Sequence, residues 1–216
     1  MRNLVFAILL LGVVDAQSCN QNSLKILANC YSNFVAYYGF DMKTTNKLPA
    51  YWDMHNVRQK MLLDQGLTVQ PKICDVATSL YDCSSKVRYG AECLTQLGAN
   101  TSDAQDWMTD RAVGEYQCTT GYATLIADFT CIGTARDTYA VQLQNCSDQL
   151  DIALKNNPIN ACKDLNDFLG CQPPYYASAC DFNAGVFMCG VTRAGINAGS
   201  DLCDKLGLLD QCAPYK

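Results

Sequence analysis

The chain has 216 residues, a formal net charge of -5 and fourteen cysteines, and its acids are almost all aspartate, with Glu92 and Glu115 the only glutamates. An acidic chain with scattered lysines has no phosphate-neutralising stripe, which argues against nucleic acid and against anionic membrane surfaces as partners. Its length suffices for one domain or two small ones.

Met1 to Ala16 reads as a secretory signal peptide, with Arg2 as the positive n-region, Leu4 to Val14 as the apolar core and Val14-Asp15-Ala16 as a small-residue cleavage site. The mature chain is then 17–216, secreted and extracellular. No later stretch is apolar enough to span a bilayer.

Asn22 and Ser23 can cap a first helix whose apolar positions Leu24, Leu27, Tyr31, Phe34 and Tyr38 recur at three and four, ending at Gly39. After a polar loop, Pro49 suits the first turn of a second helix carrying Trp52, Met54, Val57, Met61 and Leu62, with Gly66 as its stop. Pro71 opens a third segment through Ile73, Val76, Leu80 and Cys83, which bends or restarts near Gly90 and stops at Gly98. Thr101 and Ser102 begin a long helical stretch that Gly114 and Gly121 weaken. A further helix is predicted after Gly133, through Leu143, Leu150 and Leu154, stopping at Asn157-Pro158. Asn160 to Leu169, a segment after Pro173-Pro174, and Ser200 to Leu208 read as three shorter helices. The Val, Ile and Tyr residues follow the helical period, and no Asn-Gly or Asp-Gly hairpin turn is present. The expected fold is an all-α, disulfide-stapled helical bundle.

All fourteen cysteines follow the cleavage site: Cys19, Cys30, Cys74, Cys83, Cys93, Cys118, Cys131, Cys146, Cys162, Cys171, Cys180, Cys189, Cys203 and Cys212. An even count in an exported chain argues for a complete set of bridges. Zinc sites need cysteines two to four residues apart, and here the closest neighbours are nine positions apart, so no metal and no cofactor is expected. Residues nine apart on one helix stand about 13 Å apart and point to opposite sides, whereas a disulfide needs Cα atoms within about 7 Å. Each rung of the ladder from Cys162 to Cys189 must therefore reach another element. The ladder has a looser copy at Cys74, Cys83 and Cys93, with Leu80 and Phe168 at matching places and Tyr89 and Tyr176 each four before the third cysteine. This suggests two similar helical-hairpin halves, about 17–131 and 132–216.

His55, the sole histidine, has no cysteine and no glycine-rich calcium loop near it, and reads as a helix-surface residue. Asp103, Asp106 and Asp110 share one helical face at one-turn and two-turn spacing. A helix face offers too few oxygens for calcium, and the first turns after Ser102 favour acids through the helix dipole. Asp164 with Asp167 and Asp201 with Asp204 admit the same account. No catalytic residue is assigned. Asn100-Thr101-Ser102 and Asn145-Cys146-Ser147 match the glycosylation acceptor pattern, the second closing once Cys146 is bridged. Tyr175 and Tyr176, beside Pro173 and Pro174, read as an exposed binding loop within Gln172 to Ala177.

The pieces Ile73-Cys74 through Leu80 to Cys83, then Ala91-Glu92-Cys93, and Ala161-Cys162 through Phe168 to Cys171 resemble the helix signatures of nematode-type secreted cysteine-rich helical domains of unknown function, related to chondroitin-proteoglycan core-like proteins. The resemblance spans about 70–216 and implies an extracellular, non-catalytic role. The expected function is binding of another extracellular molecule, protein or glycan. The alternatives are a carrier holding a lipid or other apolar ligand in a helical cavity, and a secreted hydrolase, for which a carboxylate pair remains the available machinery.

Overall fold

A computed structural model describes residues 19–212, and the expected signal peptide lies outside them. Among the described residues every regular element is helical. They divide into two compact units, 19–119 and 120–212.

The first unit contains α1 (Gln21–Tyr37), α2 (Met42–Thr45), α3 (Tyr51–Gln65), α4 (Gln70–Ser84), α5 (Ala91–Gln96) and α6 (Thr101–Cys118). Asn20 starts α1 by accepting the Ser23 amide at 2.9 Å, which satisfies one of the orphan donors of the first turn. Gly39, at φ 87°, ends it. Its amide bonds Ala36 O and that of Phe40 bonds Val35 O, a Schellman closure that a left-handed glycine makes without steric strain. Gly98 closes α5 in the same way, and a Cβ there would stand 2.8 Å from Lys47 Cγ. The core of this unit is built on Trp107 of α6, whose ring meets Tyr31, Phe34 and Tyr51 edge-on at 5.8, 6.2 and 5.4 Å. Leu27, Val35, Met54, Leu94 and Ala104 fill the space around it.

The second unit contains α7 (Tyr122–Ala127), α8 (Phe129–Thr138), α9 (Ala140–Asn156), α10 (Ala161–Cys171), α11 (Pro173–Ala179), α12 (Phe182–Gly199) and α13 (Leu202–Lys205). Leu150, Leu154, Leu165, Phe168, Leu169 and Ile196 form its larger core, and Ala135, Tyr176 and Ala184 a smaller one. Several sequence expectations need correction here. Gly133 lies inside α8 instead of preceding a helix. Gln172 to Ala177 is not an exposed loop, because Pro173 and Pro174 occupy the first turn of α11, where a missing N–H is harmless. The sequence gives no periodic warning of α12, since glycines at 185, 190, 195 and 199 depress its helix propensity. An Asp181 cap on the Ala184 amide and burial of Ala184, Phe187, Cys189 and Ile196 override that propensity.

All fourteen cysteines are bridged, and each bond closes within its own unit. In the first unit the pairs are Cys19–Cys93, Cys30–Cys83 and Cys74–Cys118. In the second they are Cys131–Cys180, Cys146–Cys171 and Cys162–Cys203, with Cys189–Cys212 in addition. With that added pair set aside, both units join first to fifth, second to fourth and third to sixth cysteine. The helices correspond as well. α4 packs on α1 and α6 as α10 packs on α9 and α12, and α5 lies on α6 as α11 lies on α12. The boundary drawn at 131/132 is thereby corrected to 119/120. Cys131 heads the second unit as Cys19 heads the first. The repeat is unequal in one place: Cys30 and Cys74 are 44 positions apart, against 16 for Cys146 and Cys162. The extra length carries α2 and α3.

The bridges close loops of 23 to 74 residues. At about 2 to 4 kcal/mol each they together exceed the net stability of a typical domain. Full reduction is expected to abolish the cooperative thermal transition seen by near-ultraviolet circular dichroism; a sharp transition surviving in strong reductant would contradict this.

Candidate functional site

The insertion brings the sole histidine and the aspartate face of α6 together. Tyr51, His55 and Arg58 recur at four and three on α3, so they share one face. Asp103, Asp106 and Asp110 recur at three and four on α6 and do the same. The two faces meet.

Arg58 forks onto Asp110, Nη1 donating to Oδ2 at 3.0 Å and Nη2 to Oδ1. The side chains are only 14% and 9% exposed, which makes this a buried ion pair. Tyr51 Oη donates to Asp110 Oδ1 at 3.2 Å and also lies 3.2 Å from His55 Nδ1. Tyr51 has one proton to give, and the carboxylate, as the charged acceptor, takes it. Burial pulls the Arg58 pKa down, and the charge and hydrogen bonds of Asp110 more than reverse this, so Arg58 stays cationic. Burial, followed by the Asp110 charge, holds the Tyr51 hydroxyl far above its ordinary value. Burial likewise pushes Tyr38 up to about 12. Tyr38 Oη and Trp107 Nε1 are buried without a hydrogen-bond partner among the described residues.

Asp106 is the titratable member of the group. Burial first, and then the charge of Asp103, push its carboxyl up to about 6, while a hydrogen bond from Trp52 partly opposes the rise. On its other side, α6 presents Arg111 to α4. The guanidinium lies 4.8 Å from the centre of the Tyr81 ring, and Nε donates to the buried Ser84 hydroxyl at 2.8 Å.

Chemically, this arrangement is a lock. A general base needs a free lone pair near a nucleophile, whereas Asp110 is occupied by Arg58 and Tyr51, and Tyr51 is held protonated. Two of the acids of α6 do more than complement the helix dipole: Asp110, bonded to Arg58 and Tyr51, and Asp106, which accepts a hydrogen bond from Trp52, form the polar half of the seat for α3. His55, read from the sequence as a surface residue, is partly buried in that contact. Arg58 carried no signal by itself. Its spacing from Tyr51, set beside that of the three aspartates, is the pattern that would have revealed the pairing.

The other carboxylates named from the sequence are mostly spent in ion pairs: Asp167 with Lys163, Asp201 with Lys205 and Asp204 with Arg193. Asp164 lines a cleft of about 170 Å³ beside the Cys146–Cys171 bridge. A second cleft, of about 320 Å³, has Asn29, Ser32, Lys43 and Asn46 on its walls. Tyr176 is 4% exposed and belongs to the core, which removes it from any binding surface. Tyr175 is partly buried, its ring 5.3 Å from that of Tyr139. Asn100 is exposed at the N-cap of α6, and Asn145 lies within α9.

Two outcomes are expected from the lock. Arg58→Met should destabilise the protein by about 3–5 kcal/mol, because Asp110 is left charged and buried, and Asp110→Leu in the same chain should recover most of the loss. Additive losses in denaturant titrations would show that the pair is uncoupled. The second concerns Asp106, whose folded pKa exceeds its unfolded value of about 4. The folded state then binds the extra proton, so stability falls as pH rises from about 4 to about 6 and stays lowered above that. With partial exposure discounted, the effect is about 1 kcal/mol. Asp106→Asn should raise the melting temperature by about 2–4 °C at pH 7.5 and have no such effect at pH 4; an equal shift at both pH values would refute the assignment.

Comparison with protein-family models, with curated proteins and with solved structures finds no match for this chain.

Proposed function

We propose that the protein is secreted and works as a non-catalytic scaffold that binds another extracellular molecule, a protein or a glycan, on the outer surface of its stapled helices. Complete pairing of the cysteines supports an oxidising compartment. The cysteine-spacing resemblance to secreted helical domains is in keeping with this. Occupation of the polar groups of α3 and α6 by one another favours a structural role for the one region where the two units differ most.

The observation that carries the reading lies on α9. Val141 and Ile152, 80% and 58% exposed, stand eleven positions apart, close to three full turns, and so share one outward face. With exposed Gln144, Asn145 and Asp148 between them they are two anchor points on a polar face and not a contiguous apolar patch, an arrangement suited to a mixed protein interface. A carrier of apolar ligands calls for an enclosed apolar cavity. The 320 Å³ cleft is open to solvent and mixed in character, with Asn29, Ser32, Lys43 and Asn46 beside Ala28, Met42 and Leu97, and the first core is filled by Trp107 and its neighbours, so neither offers the enclosed apolar space a carrier calls for.

The test is a binding screen of the oxidised protein against arrayed extracellular proteins and glycans, run with Val141→Asp/Ile152→Asp as control. A specific partner that the double variant binds at least tenfold more weakly is expected. A stoichiometric lipid released by solvent extraction, or hydrolytic turnover removed by a point substitution, would sink the proposal.

A further inference from the structure

We propose that Asn100 carries an N-linked oligosaccharide and that Asn145, despite the same acceptor pattern, carries none. This rests on the reading of the chain as exported and goes beyond it by naming the modified atom. The two sequons are equivalent as strings, and tertiary structure separates them.

The transferase must hold Asn-x-Ser/Thr in an open conformation and reach both the asparagine amide and the hydroxyl two residues later. Asn100, Thr101 and Ser102 are all exposed. Asn100 has extended backbone angles, φ -72° and ψ 167°. Its side chain caps α6 through Oδ1, which accepts the Asp103 amide at 2.9 Å. That bond leaves Nδ2 outside the cap. In the transfer, Nδ2 forms a bond to the anomeric carbon of an oligosaccharide carried on a lipid pyrophosphate. The bond from that carbon to the pyrophosphate oxygen breaks, the lipid pyrophosphate leaves with the electron pair, and Nδ2 gives up one proton. The amide carbonyl is retained, so Oδ1 still accepts from Asp103 and α6 keeps its cap. Modification at this atom is compatible with the fold before and after it happens.

Asn145 is itself exposed, but its sequon fails the other conditions in the folded chain. It lies in the interior of the α9 helix, so its backbone is held in helical hydrogen bonds. Its next residue, Cys146, is bonded to Cys171, 25 positions on. Ser147, whose hydroxyl the transferase must reach, is 5% exposed and donates to Leu143 O at 3.3 Å. Reading this sequon requires unwinding α9 and withdrawing Cys146 from its bridge. At about 5–20 residues per second, Cys171 is synthesised within seconds of Asn145, so the bridge is available to close the site early.

The full chain would be expressed in a eukaryotic secretory host in two forms, one with its own first 16 residues and one with a host leader in their place. Enzymatic release of N-glycans in heavy-oxygen water converts each modified Asn to labelled Asp, which peptide mass mapping locates. Label at Asn100 and none at Asn145 is expected in the secreted protein. Ser102→Ala, which keeps the Asn100 cap, should abolish the label, and Ser102→Thr should retain it. Secretion of the Ser102→Ala protein shows that the variant folds. Secreted protein with Asn100 unlabelled, or with Asn145 labelled, overturns the proposal. If export occurs only with the host leader, the reading of the chain as secreted fails, while the label at Asn100 still decides the modification.

Discussion

A helix with cysteines nine positions apart must be shared between two neighbours, because its two thiols face opposite ways and stand too far apart to bond each other. α4 and α10 are such helices. Cys74 and Cys83 reach Cys118 beyond one side and Cys30 beyond the other, and Cys162 and Cys171 reach Cys203 and Cys146 in the same order. Each central helix is thereby fixed against two partners, and the remaining pair, Cys19–Cys93 or Cys131–Cys180, ties the start of the unit to its fifth cysteine. The two units repeat one solution to that constraint. Neither needs a large core of its own, which suits units of this size.

The units diverge in what is added to the shared plan. The second gains a bridge, Cys189–Cys212. The first gains α2 and α3, and α3 is held without any cysteine. Its attachment combines the apolar contact of Tyr51 and Met54 with the buried Arg58–Asp110 pair. A buried ion pair returns little net stability after the desolvation of both charges, but breaking one half of it is strongly unfavourable. Its effect is therefore on register: a slide of α3 along α6 would leave both charges in apolar surroundings. The aromatic cluster at Trp107 supplies the apolar contact, and the polar face adds directional partners to it. That division of labour explains why the titratable and charged groups of this unit converge without forming an acid–base pair aimed at solvent.

The same constraint fixes what the exposed helix faces can offer under the proposed binding role. Disulfides hold helices α1, α4 and α6, and α9, α10 and α13, in fixed relation within each unit, so residues pointing outward from them have little conformational freedom left to lose on binding. Tyr176 does not take that role, since its helix turns it into the core. Val141 and Ile152 do point outward.

Much of this was legible in the linear chain. Helical periodicity predicted the all-α class. The caps and stops at Gly39, Gly66 and Gly98 follow from local backbone preference, and cysteine spacing required cross-links between elements. Local chemistry decides these features, and local chemistry is what a sequence displays. Other features were decided by partners distant in the chain. The order of the bridges, and with it the boundary at Thr119–Thr120, depends on which thiols the fold brings within bonding distance. α12 exists because burial outweighs the weak helix propensity of its glycines. The roles of His55, Arg58 and the three aspartates depend on two faces, each ordinary alone, meeting across about fifty residues of chain. The difference between Asn100 and Asn145 is of the same kind: the sequon is local, but exposure, helix position and a bridge to Cys171 are properties that only the tertiary structure assigns.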